Sequence, residues 1–212
     1  MNVIPTLTKE IKYILKNTKL PFVLISGGLH SYSYDTVSIN NYQGAYDMTN
    51  FIIKKKGFSK IVHITGPKDN DDAKLRLKGF IDTCKENQLK INNSFIAEGD
   101  FTREGGKRIC MELLSQKNKA EVIFAANDMM ALGCYDAASK KGLSIPDDIA
   151  VVGFDDIFVS QYLSPGLTTV RVQIEEVGKN AADILVNRIK NKGKGKPERI
   201  YIPTELVIRG SC

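Results

Sequence analysis

Residues 119–156, KAEVIFAANDMMALGCYDAASKKGLSIPDDIAVVGFDD, constrain the fold more than any other stretch. The unbroken apolar run at 122–126 reads as a buried strand, closed by Asn127-Asp128. Asp128 is suited to cap the helix that follows. That helix carries Met130, Ala131, Leu132 and Tyr135 at three- and four-residue spacing and ends at Gly142. Pro146-Asp147-Asp148 make a turn, and 149–154 form a second buried strand that stops at Asp155-Asp156. Strand, helix and strand in so short a span predict a βαβ unit with parallel strands. Open parallel sheets place their sites beyond the strand C-termini, where Asn127, Asp128 and Asp155 fall.

The rest of the chain repeats this alternation. Helices are predicted over 7–17, from Asn40 or Asn41 to Gly57, and over 73–87, 104–116 and 174–189. Residues 1–4 read as the end of a strand, and strands are predicted over 20–26, 36–39, 60–65, 200–202 and 206–208, that at 20–26 (LPFVLIS) as a buried one; 95–100 carries the chain across to a bend at Phe101, and 167–170 is a short strand or link. Gly79 lies inside a helical pattern at a cost of about 1 kcal/mol against alanine, which predicts close packing against the sheet. Residues 1–58 are short of strands for a lobe of their own.

Composition excludes several function classes. The 212 residues, 42% of them hydrophobic, suffice for one large domain or two small lobes. The net charge of +6 lies largely in Lys54-Lys55-Lys56 and in 190–196, which read as a solvated helix face and a basic turn. Cys84, Cys110, Cys134 and Cys212 are scattered and read as reduced, mostly buried thiols. His30 and His63 are too far apart in sequence to suggest a metal site, and His63 reads as a satisfied buried ring. Neither a signal-peptide pattern nor an apolar run of membrane length occurs. No phosphate loop and no paired acid–base group stands out, so no enzyme, cofactor or metal is expected.

What remains is binding chemistry. Arg76 sits one helical turn past a polar loop leaving a strand end, where its fork of donors suits a carboxylate or paired hydroxyls. A surface ion pair is the plainer alternative. Asp155 suits two hydroxyls of a polyol, or a structural cap. Asn127 can donate and accept at once. Phe101 suits stacking on a sugar face, or core packing.

At these residues the chain resembles the effector-binding core of the LacI/GalR family of bacterial transcription regulators. The motifs are AKLRLKGF (73–80), EGDF (98–101), VIFAANDMMALG (122–133), IPDDIAVVGFDD (145–156) and YLSPGLTTV (162–170), in that order. The resemblance runs from about residue 3 to residue 208. It implies an α/β, periplasmic-binding-protein-like fold with two Rossmann-like lobes of parallel sheet and an effector in the cleft between them. The first lobe, truncated at its start, would take 1–58 and 167–202, and the C-terminal lobe 59–166 and 203–212. By motif, Arg76, Asn127 and Asp155 match the family's polar effector contacts and Phe101 its aromatic wall. Ser26 and Asn40 match cleft positions of the first lobe. Ser26 departs from the acidic residue of some sugar-binding members, and Val172 from a polar one.

The resemblance further implies a cytoplasmic repressor acting as a homodimer on a sugar or sugar derivative. Effector would close the lobes and re-aim attached headpieces. Operator DNA would be read only through an N-terminal helix-turn-helix headpiece that this sequence does not contain, and no membrane is involved. The opening strands of the first lobe would precede residue 2, leaving an open sheet edge prone to unusual pairing and a weakened effector site. A solute-binding protein of a sugar transport system shares the fold; the SPGLTTV and IPDDIAVVGFDD pattern favours the regulator.

Overall fold

A computed structural model describes residues 9–25, 34–91, 93–116, 120–191 and 195–212. Two compact units are present. One takes Met1–Asn40, Asp69–Asp72 and Gln173–Pro203; the other takes Asn41–Lys68, Ala73–Val172 and Thr204–Cys212. Residues 41–58, expected in the first lobe, thus pack in the second unit. The expected strand at 1–4 and the candidate Ser26 lie outside the described residues.

The smaller unit is built on helix α1 (Lys9–Asn17) and strands β1 (Leu24–Ile25) and β2 (Thr36–Ile39). Its parallel sheet has the order β1-β2-β8, where β8 is Arg199–Ile202. Helix α6 (Ile174–Lys190) turns Val177, Ala181 and Ile184 onto Val37 and Ile202. The expectation of a buried strand over 20–26 is corrected: within the described residues the strand holds two residues, and Leu20 is 75% exposed. Among the described residues β1 pairs with β2.

The larger unit holds a four-stranded parallel sheet in the order β4-β3-β5-β6. These are β3 (Ile61–Thr65), β4 (Ile96–Glu98), β5 (Val122–Ala125) and β6 (Ala150–Val152). Side chains alternate across it, as a period of two demands. Val62, Ile64, Ile123, Ala125 and Val151 face α4 (Arg103–Leu114) and α5 (Asp128–Lys140). Ile61, Val122, Phe124, Ala150 and Val152 face α2 (Asn41–Asn50) and α3 (Asp71–Glu86). With both faces covered, the strands read as continuous apolar runs. Each fully buried Phe or Ile contributes about 1.5–3 kcal/mol. Strands β7 (Thr169–Val172) and β9 (Thr204–Val207) form an antiparallel pair, and β7 begins beside β6 at the Val152–Thr168 bridge.

Glycines set the closest approaches. A Cβ at Gly79 would lie 2.4 Å from the Tyr42 carbonyl oxygen, so this glycine packs on α2, not on the sheet as expected. Between α4 and α5, a Cβ at Gly106 would meet the Met130 carbonyl at 2.3 Å, and one at Gly133 the Arg103 carbonyl at 2.1 Å.

His63 is buried between Phe80 and Phe124, with ring centroids 5.0 and 4.8 Å away. Its Nδ1 lies 2.8 Å from the Phe124 carbonyl, but Nε2 has no partner. The expected satisfied ring is therefore half satisfied. Burial is the main reason its pKa falls to about 4. All four cysteines are buried free thiols, as expected from their scatter.

Candidate functional site

Strand order locates the site. β3 is followed by β4 on one side, and the chain then returns to lay β5 on the other, so the topology switches between β3 and β5. Ligands of open parallel sheets bind beyond the strand C-termini at such a point. The strand ends there are Thr65-Gly66 and Ala125-Ala126-Asn127, with Phe154-Asp155 following β6.

Arg76 reaches into this corner from the second turn of α3 and is 5% exposed. Its Nε donates to Asn41 Oδ1 at 2.8 Å, and Nη1 donates to the Ala126 carbonyl at 2.5 Å. Nη1 also lies 3.2 Å from Asp155 Oδ1. The guanidinium stacks 3.7 Å above the Phe154 ring and lies 6.0 Å from that of Phe101. These contacts fix the plane of the fork. Nη2 has no partner among the described residues, so the fork keeps donors for a ligand.

Asn127 is both cap and clamp. Its Oδ1 accepts from Met130 N at 2.9 Å, which makes it the N-cap of α5 in place of the expected Asp128. Its Nδ2 donates to the Phe101 carbonyl at 3.0 Å. Phe101 sits at φ 64°, and its ring lies over Gly66, where a Cβ would stand 2.1 Å from Cζ. The position of the Phe101 ring thus depends on the missing side chain of Gly66.

Asp128 does other work. Buried, it accepts from Thr169 Oγ1 at 2.6 Å, Ser160 Oγ at 2.6 Å and Ile157 N at 3.0 Å. Burial raises its pKa to about 7, with a smaller push from the Asp155 charge, against the lowering effect of those three donors. Gly153 leaves the room, since a Cβ there would lie 2.2 Å from Asp128 Oδ1.

Asp155 and Asp156 both have positive φ, 116° and 55°. Such backbone costs a non-glycine residue about 1–3 kcal/mol and persists where surroundings over-determine it. Asp155 N donates to the Val170 carbonyl at 2.8 Å, and its own carbonyl accepts from Val172 N at 3.3 Å. Asp156 is held by Arg171 Nε at 2.7 Å and Arg209 Nη2 at 2.8 Å.

Four of the six candidates, Arg76, Phe101, Asn127 and Asp155, are therefore gathered in the larger unit. Asn40 belongs to the smaller unit, exposed at the end of β2, with its backbone N donating to the Ile202 carbonyl at 3.0 Å. Sequence reasoning missed Asn41, the buried acceptor beside it, because nothing in Asn40-Asn41 tells which side chain turns inward. The Arg171–Asp156–Arg209 cluster was also missed; its members are far apart in sequence. Among the described residues, no group of three or more His, Cys, Asp and Glu side chains could hold a metal ion. Nor is any described helix long and apolar enough to cross a membrane.

Comparison with known proteins agrees with this fold. Residues 53–212 match the family model described as periplasmic binding protein-like domain. The HTH-type transcriptional repressor PurR of Histophilus somni (strain 129Pt) is 38% identical over 192 residues, covering 91% of this chain and 57% of that protein. The chain thus spans little more than half the length of that relative. Among solved structures, the transcriptional regulator CelR in complex with cellobiose superposes with TM-score 0.91 at 28% identity, over 99% of this chain and 64% of that one. A LacI family transcriptional regulator from Enterococcus faecium with bound ribose gives TM-score 0.84 at 27% identity, over 97% and 75%. With four parallel strands, their switch-point corner and these relatives in agreement, the chain belongs to the LacI/GalR family, through its periplasmic binding protein-like effector domain.

Proposed function

We propose that this chain is the effector-binding regulatory part of a cytoplasmic LacI-family repressor, and that its effector is a sugar or sugar derivative. The observation that carries the reading is the Arg76 fork, held flat over Phe154 by Asn41, Ala126 and Asp155 at the sheet's switch point. A fixed guanidinium beside a carboxylate offers donors and acceptors to adjacent hydroxyls, and the Phe101 ring offers a face to the apolar side of a sugar. Asn127, bound to Met130 N and the Phe101 carbonyl, keeps one amide hydrogen for a ligand. Ser26 and Asn40 complete the proposed set by motif. Two structurally similar regulators carry cellobiose and ribose. The chain self-associates as a homodimer, and operator affinity is altered by effector through a coupling of about 1–3 kcal/mol.

The test is a thermal-shift and calorimetric screen of mono- and disaccharides, ribose and cellobiose included. A saturable shift with at least one sugar, lost on Phe101→Ala, is the expected result. No shift with any sugar overturns the assignment.

A further inference from the structure

We propose that Asp156, gripped by Arg171 and Arg209, is a positioning residue whose work is to hold the Asp155 carboxylate against Arg76. Three observations meet here. Asp155 has φ 116°, a conformation that an L residue leaves unless it is held. Its carboxylate is nonetheless placed 3.2 Å from Arg76 Nη1. The next residue, Asp156, is also at positive φ, and its side chain is only 8% exposed.

The grip is two-sided. Arg171 Nε reaches Asp156 Oδ2 at 2.7 Å from β7, and Arg209 Nη2 reaches Oδ1 at 2.8 Å from the C-terminal segment. Arg209 is itself oriented, because its Nη1 donates to the Leu167 carbonyl at 2.8 Å. Both carboxylate oxygens are thus fixed by planar forks, which define a direction as well as a distance. β7 also takes both backbone bonds of Asp155, through Val170 O and Val172 N. Release of Asp156 removes the side-chain hold on the neighbouring residue and so lowers the resistance of the corner to relaxation. Relaxation of φ at Asp155 swings its carboxylate away from Arg76. The consequence for ligand rests on the effector-site reading of Asp155; the positioning itself does not.

The experiment is heteronuclear NMR on the labelled chain without ligand. Wild type is compared with Asp156→Ala, Asp156→Asn and Arg171→Gln. Arg103→Ala is the control, which breaks a different ion pair, Arg103–Asp136 at 2.7 Å. The readouts are the three-bond HN–Hα coupling of residue 155 and the Arg76 Nε–H resonance. Expected is a rise of the coupling from the small value of positive φ toward that of extended backbone in Asp156→Ala, with a shift of the Arg76 signal. Asp156→Asn, which keeps one acceptor oxygen, and Arg171→Gln move both partway; Arg103→Ala moves neither. If both readouts stay put in the Asp156 and Arg171 variants, the grip is only structural and the proposal falls. Should Asp156→Ala not fold, Arg171→Gln decides, because that arginine is 45% exposed and Arg209 remains. A chain that binds no sugar yet shows the coupled change sinks the effector reading and leaves the positioning intact.

Discussion

The Asp128 carboxylate and the Thr169 hydroxyl lie 2.6 Å apart, and through this bond the N-terminus of α5 is tied to β7. The same carboxylate holds Ser160 and Ile157 N, so one buried acid joins three segments behind the candidate site. Its pKa is near 7 when folded, against an ordinary 3.8, with burial the chief cause. The folded state therefore binds the proton more tightly than the unfolded chain. The stability this group contributes is full below 3.8 and is lost as pH rises through about 7. At about 1.4 kcal/mol for each pKa unit, the loss is on the order of a few kcal/mol. Asp128→Asn removes the titration and keeps the shape. Urea unfolding of both proteins is expected to show the variant gaining on wild type as pH rises from about 4 to about 8. A constant difference would mean that Asp128 does not titrate in this window.

Arg76 and Phe101 separate structure from recognition. Arg76→Lys loses the fork that serves Asn41, the Ala126 carbonyl and Asp155. Since Asp155 is about a third exposed, the cost is expected at about 1–3 kcal/mol, below that of a fully buried pair. Binding and stability should fall together. Phe101→Leu keeps apolar volume over Gly66 and should cost less than about 1.5 kcal/mol in denaturation. Calorimetry should nevertheless show sugar affinity reduced up to roughly tenfold, the worth of lost stacking on an aromatic ring.

The helix pair α4–α5 offers a test of packing. Alanine at Gly133 would gain about 1 kcal/mol of helix propensity. Its Cβ, however, would stand 2.1 Å from the Arg103 carbonyl and 2.4 Å from Lys107 N. These are backbone atoms of α4 and cannot rotate away, so overpacking at about 1–3 kcal/mol or more prevails. Gly133→Ala should lower the thermal midpoint. Gly66→Ala, whose nearest neighbour is the end of the Phe101 ring, should cost less and instead displace that ring.

These contacts also mark where sequence reasoning succeeds and where it stops. The runs at 61–65 and 122–125 were legible because both faces of the sheet are covered, so burial is continuous along the strand. The run at 20–26 is as apolar, yet its described strand holds two residues and Leu20 is exposed. Hydrophobicity alone does not distinguish the two. Asp128 was the expected cap, and only three-dimensional placement gave that work to Asn127 and turned Asp128 to Thr169 and Ser160. Asn127 and Asp155 were picked out because strand-end position is readable from pattern, and Arg76 because its helix follows a polar loop that leaves a strand end. Asn41 and Arg209 were not, since a partner's identity depends on tertiary contact.

His63 titrates in the opposite sense to Asp128, and the two together make a sharper test than either alone. Its folded pKa is near 4 against an ordinary 6.5, with burial the main cause and the Arg76 charge assisting. The ring is thus neutral when folded and gains a proton on unfolding below 6.5. The stability it contributes is present above 6.5 and lost as pH falls toward 4. Over that interval His63 makes stability rise with pH while Asp128 makes it fall, and the wild-type profile partly cancels. His63→Met removes one slope, and also the unpartnered Nε2. Its stability should fall more steeply with rising pH than that of wild type, while Asp128→Asn should bend the other way. The double variant should return close to the wild-type slope, because the two groups share no hydrogen-bond partner, His63 bonding Phe124 and Asp128 bonding Ser160 and Thr169. Denaturation at several pH values checks all four proteins at once, and equal slopes throughout would show that neither buried group is titrating.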